Sequence, residues 1–261
     1  MKIDTPYSLF QKSLRYFDYL KESVNRHDVH SPFVYDLVED VFRQPLSKFK
    51  SNKIELERKF LLKNNSPVFI DDLGAKKSRE TKVKEIAAHS LKEPKHAAIL
   101  GKLVEQYAPK TVLEFGTSLG ITTAYLSQGA TRVYTIEGSE AVLDQAKLVW
   151  KNLDLDKIHS FLGPFDDLLD QVWSEIEQPS MVFIDGNHTY RGTLGYFEYF
   201  IDRLNTDSFI VFDDIHWSAG MEEAWKKIIA DKRVSLSVDI FEMGIIFFRK
   251  GVEKQHFVIR F

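Results

Sequence analysis

Residues 112–137, V-L-E-F-G-T-S-L-G-I-T-T-A-Y-L-S-Q-G-A-T-R-V-Y-T-I-E, constrain the fold more than any other stretch of this chain. The apolar run 112–115 reads as a strand that stops at Gly116. Gly116 and Gly120 bracket a polar turn, 121–126 continues as a helix, and 132–136 is a second apolar run with Glu137 at its carboxyl end. A strand, a glycine turn, a helix and a second strand form one unit of an open parallel sheet. Such sheets bind small molecules outside the carboxyl ends of their strands. Glycine lets backbone approach a ligand closely, and an acid closing the second strand is placed to accept hydrogen bonds from a ribose diol. A ligand built on adenosine follows.

The alternation continues along the chain. Strands are expected at 111–115, 132–136, 158–162, 180–185, 208–213, 234–241 and 244–249, with helices at 139–152, 165–176, 190–204 and 219–230. The last two strands are separated only by Glu242 and Met243, too few residues for a helical crossover, so they pair antiparallel. The tail from residue 255 either adds an edge strand or packs back on the helices. Before residue 95 the pattern is helical. Leu9, Phe10, Leu14, Phe17 and Leu20 have helical spacing. Ser31-Pro32 is a helix-start signal for 33–42, Asn52 a cap for 53–62, and 81–91 and 96–107 read as further helices. Residues 71–79, D-D-L-G-A-K-K-S-R, read as a basic loop. The expected organisation is a helical cap over 1–95 and a ligand-binding domain over 96–261.

Spacing narrows the ligand. A dinucleotide fingerprint needs glycine at the first, third and sixth turn positions, and this turn offers Gly116, Ser118 and Ile121. A P-loop would need a lysine followed by Ser or Thr, which the turn lacks. What remains is Glu114 two residues before Gly116, with Gly120 four residues after it. This resembles the cofactor motif of class I S-adenosylmethionine (SAM) methyltransferases in the variant E-x-G-x-x-x-G, although many members have glycine where Ser118 stands. The resemblance implies that Glu114, Gly116, Thr117, Ser118, Gly120 and Thr122 form the cofactor turn, that it faces the methionine part of SAM, and that Glu137 takes the ribose. It also implies that Gly163, Pro164 and Phe165, after the third strand, meet the adenine, with Asp166 either in contact or capping the next helix. Five parallel strands followed by an antiparallel hairpin match the same class, a Rossmann-like doubly wound α/β sheet of seven strands with the last antiparallel.

The fourth and fifth strands end as I-D-G-N-H-T-Y (184–190) and F-D-D-I-H-W (212–217). Parallel strands place Asp185, Asp213 and Asp214 on the edge that carries the glycine turn. Three carboxylates there repel one another unless a cation or hydrogen bonds compensate, and magnesium or another hard divalent ion takes oxygen ligands of this kind. The pattern looks like the metal-dependent catechol O-methyltransferase type and, through the Asp213-Asp214 pair, its sugar-modifying relatives. That resemblance implies metal ligation by Asp185, Asp213 and Asp214, a second role for Asp185 toward the SAM ammonium group, and His188 as general base, with His216 a weaker second candidate. Trp217 and Tyr190 are candidate walls for the acceptor. The region 27–35 resembles that of an uncharacterised bacterial methyltransferase group and adds no chemistry.

Composition sets limits. The 261 residues carry a net charge of −3, so no global field favours a nucleic-acid backbone. No run approaches the roughly 18 apolar residues of a membrane span. The chain has no cysteine, which excludes thiolate metal sites, disulfides and a cysteine nucleophile. A cytoplasmic enzyme is expected, acting on a small-molecule or glycan acceptor, with a homodimer compatible. The rival readings are a SAM-binding regulatory module without activity and an NAD-dependent oxidoreductase.

Overall fold

Val112, Leu113, Phe115, Val133 and Ile136 are all fully buried, the pattern of strands covered on both faces. In the computed structural model, which describes residues 3–44, 48–70 and 79–261, the chain divides into two units, 40–179 and 1–39 with 180–261.

The unit of residues 40–179 opens with the helix Lys48–Leu61 and an antiparallel ladder of β1 (Pro67–Ile70) and β2 (Arg79–Lys82). The helices Val83–Ser90 and Pro94–Tyr107 lead to three parallel strands, β3 (Thr111–Phe115), β4 (Arg132–Glu137) and β5 (Ile158–Leu162). The helices Ile121–Leu126, Glu140–Asn152 and Phe165–Glu175 make the crossovers that parallel strands require. Tyr125, Leu143, Val149 and Trp150 share a core with Ile54, Leu61 and Val83 from the preceding helices. The β1–β2 ladder has no counterpart in the sequence reading, since Arg79-Glu80-Thr81-Lys82 carries no apolar alternation. Of the expected basic loop, 71–78 lie outside the described residues.

The other unit begins with α1 (Leu9–Glu22), started by a capping box in which the Ser8 hydroxyl accepts from the Gln11 N–H and the Gln11 side chain accepts from the Ser8 N–H. Pro32 opens a short helix as expected, but after Asp36 the segment Leu37–Phe42 continues as a π-helix. Strands β6 (Met181–Ile184) and β7 (Phe209–Asp213) are parallel. Strand β8 (Leu236–Asp239) pairs antiparallel with β9 (Met243–Phe247), which also runs antiparallel to β7. β8 ends at Asp239 because the chain reverses through Phe241 at φ 71. The tail forms β10 (Gln255–Val258), a parallel edge strand on β8. Among the described residues the tail thus adds a strand to those expected, and the antiparallel strand is β9 as the short connection demands.

The apolar stripe of α1 is not core. Leu9 is 88% and Phe10 73% exposed, Leu14 and Phe17 are also exposed, and Tyr19 is the residue of this helix that is buried. No helix among the described residues is long and apolar enough to cross a membrane.

Candidate active site

The glycine turn after β3 has the conformation its residues suggest. Gly116, Ser118 and Gly120 all have positive φ, at 94°, 48° and 75°. The turn is tied to β4, because the N–H groups of Gly116 and Thr117 donate to the Ile136 carbonyl. Glu137 closes it from the other side. Its two oxygens accept from the Ser118 N–H at 2.8 Å and the Ser139 N–H at 3.0 Å. Burial pushes the Glu137 carboxyl above the ordinary carboxylate range, against the backbone N–H groups of Ser139, Ser118 and Gly138 that favour its charged form. The Ser118 hydroxyl also meets the Ser90 hydroxyl at 2.8 Å, a partner with no signal in the sequence.

Two turn residues serve reasons other than direct ligand contact. Glu114 is fully buried, and its Oε2 accepts from the hydroxyls of Thr123 at 2.6 Å and Thr135 at 2.7 Å. Thr135 in turn meets the Thr117 hydroxyl at 2.6 Å. Glu114 thus fastens β3, β4, the turn and the helix Ile121–Leu126 together. Gly120 is required by packing: a Cβ there would lie 2.5 Å from Trp150 Nε1 and 2.8 Å from Ala146 Cβ. Trp150 Nε1 donates to the Gly120 carbonyl at 3.0 Å. Thr122 lies in the same helix and is 8% exposed.

After β5, Gly163 has φ 149 and its N–H donates to the Glu137 carbonyl, so this loop runs alongside the carboxyl end of β4. Phe165 stands edge-on to Phe115, with ring centroids 5.3 Å apart. The helix N-cap is Pro164, and Asp166 falls in the first turn beyond it.

The second cluster, in the other unit, is built on the ends of β6 and β7. His188 Nε2 lies 3.5 Å from Asp185 Oδ1 and 3.8 Å from Asp214 Oδ2, so two carboxylates converge on one ring nitrogen. The intervening turn is held by Asn187 at φ 51, whose Nδ2 donates to the Tyr196 hydroxyl, and by Thr189, which caps the helix Tyr190–Ile201. The Trp217 ring stands 6.4 Å from the His188 ring.

Among the described residues, no three His, Asp or Glu side chains are grouped as a metal ion requires. Asp213 ends β7 with its side chain buried. Asp214 follows at φ 54. Asp185 and Asp214 meet the imidazole instead.

His216 is unsuited to accept a proton. Its Nδ1 lies 3.3 Å from Glu222 Oε1 and its Nε2 2.9 Å from Asp239 Oδ2. Burial alone would lower its pKa, but hydrogen bonds to Asp239 and Glu222 overcome that and raise it to about 9. The ring is therefore an imidazolium at neutral pH. The sequence reading also missed the amino-terminal segment. The Tyr7 N–H donates to the Trp217 carbonyl, the Gly220 N–H to the Ile3 carbonyl, and Asp4 Oδ1 accepts from the Tyr190 N–H at 2.7 Å. No local pattern in residues 3–7 announces these partners more than 180 positions away.

The glycine turn, the acid closing the next strand and the mostly parallel sheet are arranged as in Rossmann-like methyltransferases. Residues 113–215 match the model of a family described as a methyltransferase domain. Among characterised sequences, a protein-L-isoaspartate O-methyltransferase of Hahella chejuensis is 31% identical over 114 residues, 39% of this chain and 54% of that one. The chain thus spans about half the length of that relative. Among solved structures, a Podospora anserina methyltransferase bound to S-adenosylhomocysteine superposes with a TM-score of 0.59 over 94% of this chain and 98% of that one, at 13% identity. An O-methyltransferase of Bacillus cereus, also bound to S-adenosylhomocysteine, gives 0.56 over 88% and 99%, at 20% identity. At these identities the structures establish the shared fold.

Proposed function

We propose that this protein transfers a methyl group from SAM to a hydroxyl oxygen of a small-molecule or sugar acceptor, with His188 as general base. The observation that carries the reading is the convergence of Asp185 and Asp214 on His188 Nε2. Two carboxylates orient the imidazole and stabilise the imidazolium that forms when it takes a proton. SAM supplies an electrophilic methyl carbon on a sulfonium, and the chain's task is to hold both reactants in line and exclude water. The turn from Gly116 to Gly120 is assigned to the methionine part. Glu137 takes the ribose hydroxyls, which would add donors to a carboxylate already fixed by Ser118 and Ser139. Gly163, Pro164 and Phe165 border the adenine. Glu114 acts through the turn as a positioning residue. In the transfer step the acceptor oxygen forms a bond to the methyl carbon as the carbon–sulfur bond breaks. The hydroxyl proton goes to His188, leaving neutral S-adenosylhomocysteine. No step of this reading is routed through a metal.

His188→Ala should lower the rate by roughly 10²–10⁴ in a transfer assay across candidate hydroxyl acceptors. S-adenosylhomocysteine binding should be unchanged, and the wild-type rate should persist in excess chelator. Full activity in His188→Ala would reject the base; loss of transfer in chelator would restore the cation. A second reading comes from the isoaspartate-methylating relatives: a carboxylate acceptor is already ionised and needs no base. Transfer to an isoaspartyl peptide that survives His188→Ala would favour it.

A further inference from the structure

Strands β6 and β7 are paired as far as Ile184 and Phe212. Beyond that point each strand gives way to a loop that carries part of the His188 cluster. The first loop, 185–189, bears Asp185 and His188 and runs into the helix Tyr190–Ile201. The second, 214–218, bears Asp214 and Trp217 and runs into the helix Ala219–Ala230. The 3.8 Å approach of His188 Nε2 to Asp214 Oδ2 crosses from one loop to the other. It depends on what holds the two loops side by side once strand pairing has ended.

The amino-terminal segment 3–7 is bonded to both. On the side of the first loop, Asp4 Oδ1 accepts at 2.7 Å from the N–H of Tyr190, two residues beyond His188. On the side of the second, the Ile3 carbonyl accepts from the Gly220 N–H at 2.7 Å, and the Tyr7 N–H donates to the Trp217 carbonyl at 2.9 Å. Between them, Pro6 pairs with Ser218 in an isolated antiparallel bridge. The Trp217 N–H in turn donates to the Asp214 carbonyl at 2.9 Å, so the chain of contacts reaches the residue that faces His188. Asp4 joins the two sides. Its carboxylate takes the Tyr190 N–H and also lies against Gly220, where a Cβ would collide with Asp4 Oδ1 and stand 3.2 Å from the Ile3 carbonyl oxygen. Glycine at 220 is thus the complement of Asp4. Both contacts fall in the first turn of a helix, where free N–H groups and the helix dipole favour a negative charge.

We propose that Asp4 is a positioning residue, clasping the loop of His188 to the loop of Asp214 and so setting the direction of the imidazole toward the reacting hydroxyl. Its role in transfer rests on the reading of His188 as general base; the clasp itself is tested without that reading. A base oriented by carboxylates on two loops keeps its aim only while the loops keep their spacing. A misplacement of about 1 Å is enough to cost roughly a hundredfold in rate.

The test compares Asp4→Ala, Asp4→Asn and Gly220→Ala in the full chain by NMR, reading the Tyr190 amide, the His188 ring and the Trp217 indole. The ring signals are identified by their loss in His188→Ala and Trp217→Phe. Asp4→Ala should shift all three, including Trp217 in the opposite loop. Gly220→Ala should shift the Tyr190 amide and the His188 ring from the other side, and it carries the test if Asp4→Ala does not fold. Asp4→Asn keeps a carbonyl oxygen for the Tyr190 N–H and should bring the shifts most of the way back. If Asp4→Ala moves the Tyr190 amide but not Trp217, or Gly220→Ala leaves the His188 ring in place, Asp4 is a helix cap only and the proposal is overturned. In a transfer assay with catechol and methyl glucoside as acceptors, Asp4→Ala should lower the wild-type rate by roughly 10–100-fold. In the His188→Ala background, where no base is left to misplace, it should change the rate by less than about twofold. Equal losses in both backgrounds would show that Asp4 only supports the fold, and would also overturn the proposal. Full activity in His188→Ala would instead remove the base, and the resonances would then decide the clasp alone.

Discussion

At the scale of single residues, the account rests on carboxylates whose environments differ. Glu137 is buried yet held by backbone N–H groups, which suits it to receive two more donors from a diol. Glu137→Ala should weaken S-adenosylhomocysteine binding by about 1.5–3 kcal/mol, measured by calorimetry. Because burial raises its pKa, affinity should fall as acid protonates Glu137, starting above the ordinary carboxylate range. His216 makes the opposite contribution to folding. Its folded pKa of about 9 exceeds the usual 6.5, so it stabilises the fold fully below pH 6.5, and that contribution disappears as pH rises through 9. Glu222, whose pKa is lowered by hydrogen bonds to His216 and Tyr7 that outweigh burial, adds a term that is lost instead as pH falls. Urea denaturation of wild type and His216→Gln should differ by about 3 kcal/mol near pH 6 and converge above pH 9. A constant difference across that range would show that the ring matters only for packing.

At the scale of elements, the glycine turn was legible because its constraints are local. Apolar runs, two glycines and a terminal acid fix a strand, a turn, a helix and a strand whatever surrounds them. The reason for Gly120 was not legible, since it lies in Trp150, thirty residues along on the helix Glu140–Asn152. Gly120→Ala combines a φ of 75° with a Cβ in the indole. It should therefore destabilise the fold by about 1–3 kcal/mol in chemical denaturation. A neutral effect would mean that the turn relaxes away from Trp150. Periodicity misled in α1, where the apolar stripe of Leu9, Phe10 and Phe17 is exposed, because spacing reports which residues share a face and not what covers that face. It was silent on the β1–β2 ladder for the converse reason, as Arg79–Lys82 pairs through its backbone and carries no apolar pattern.

At the scale of the whole molecule, the antiparallel pairing of β8 and β9 followed from the length of their connection, and β10 lay in a tail whose sequence fits a strand or a packed coil equally. The candidate site was legible to the extent that it sits at strand ends. Asp185, His188 and Asp214 were found by position, but their grouping was not. The amino-terminal segment that reaches Trp217 and Gly220 was invisible for want of any local signal. The rivals of the methyltransferase reading differ from it at this scale too. A regulatory module would bind SAM without turnover, and an oxidoreductase would bind NAD through a turn that here lacks two of the three fingerprint glycines.

The most direct test of the central claim is a calorimetric titration of the purified chain with S-adenosylhomocysteine and, separately, with NAD. The account predicts saturable binding of S-adenosylhomocysteine and no heat of binding from NAD. Saturable NAD binding with no response to S-adenosylhomocysteine would contradict it.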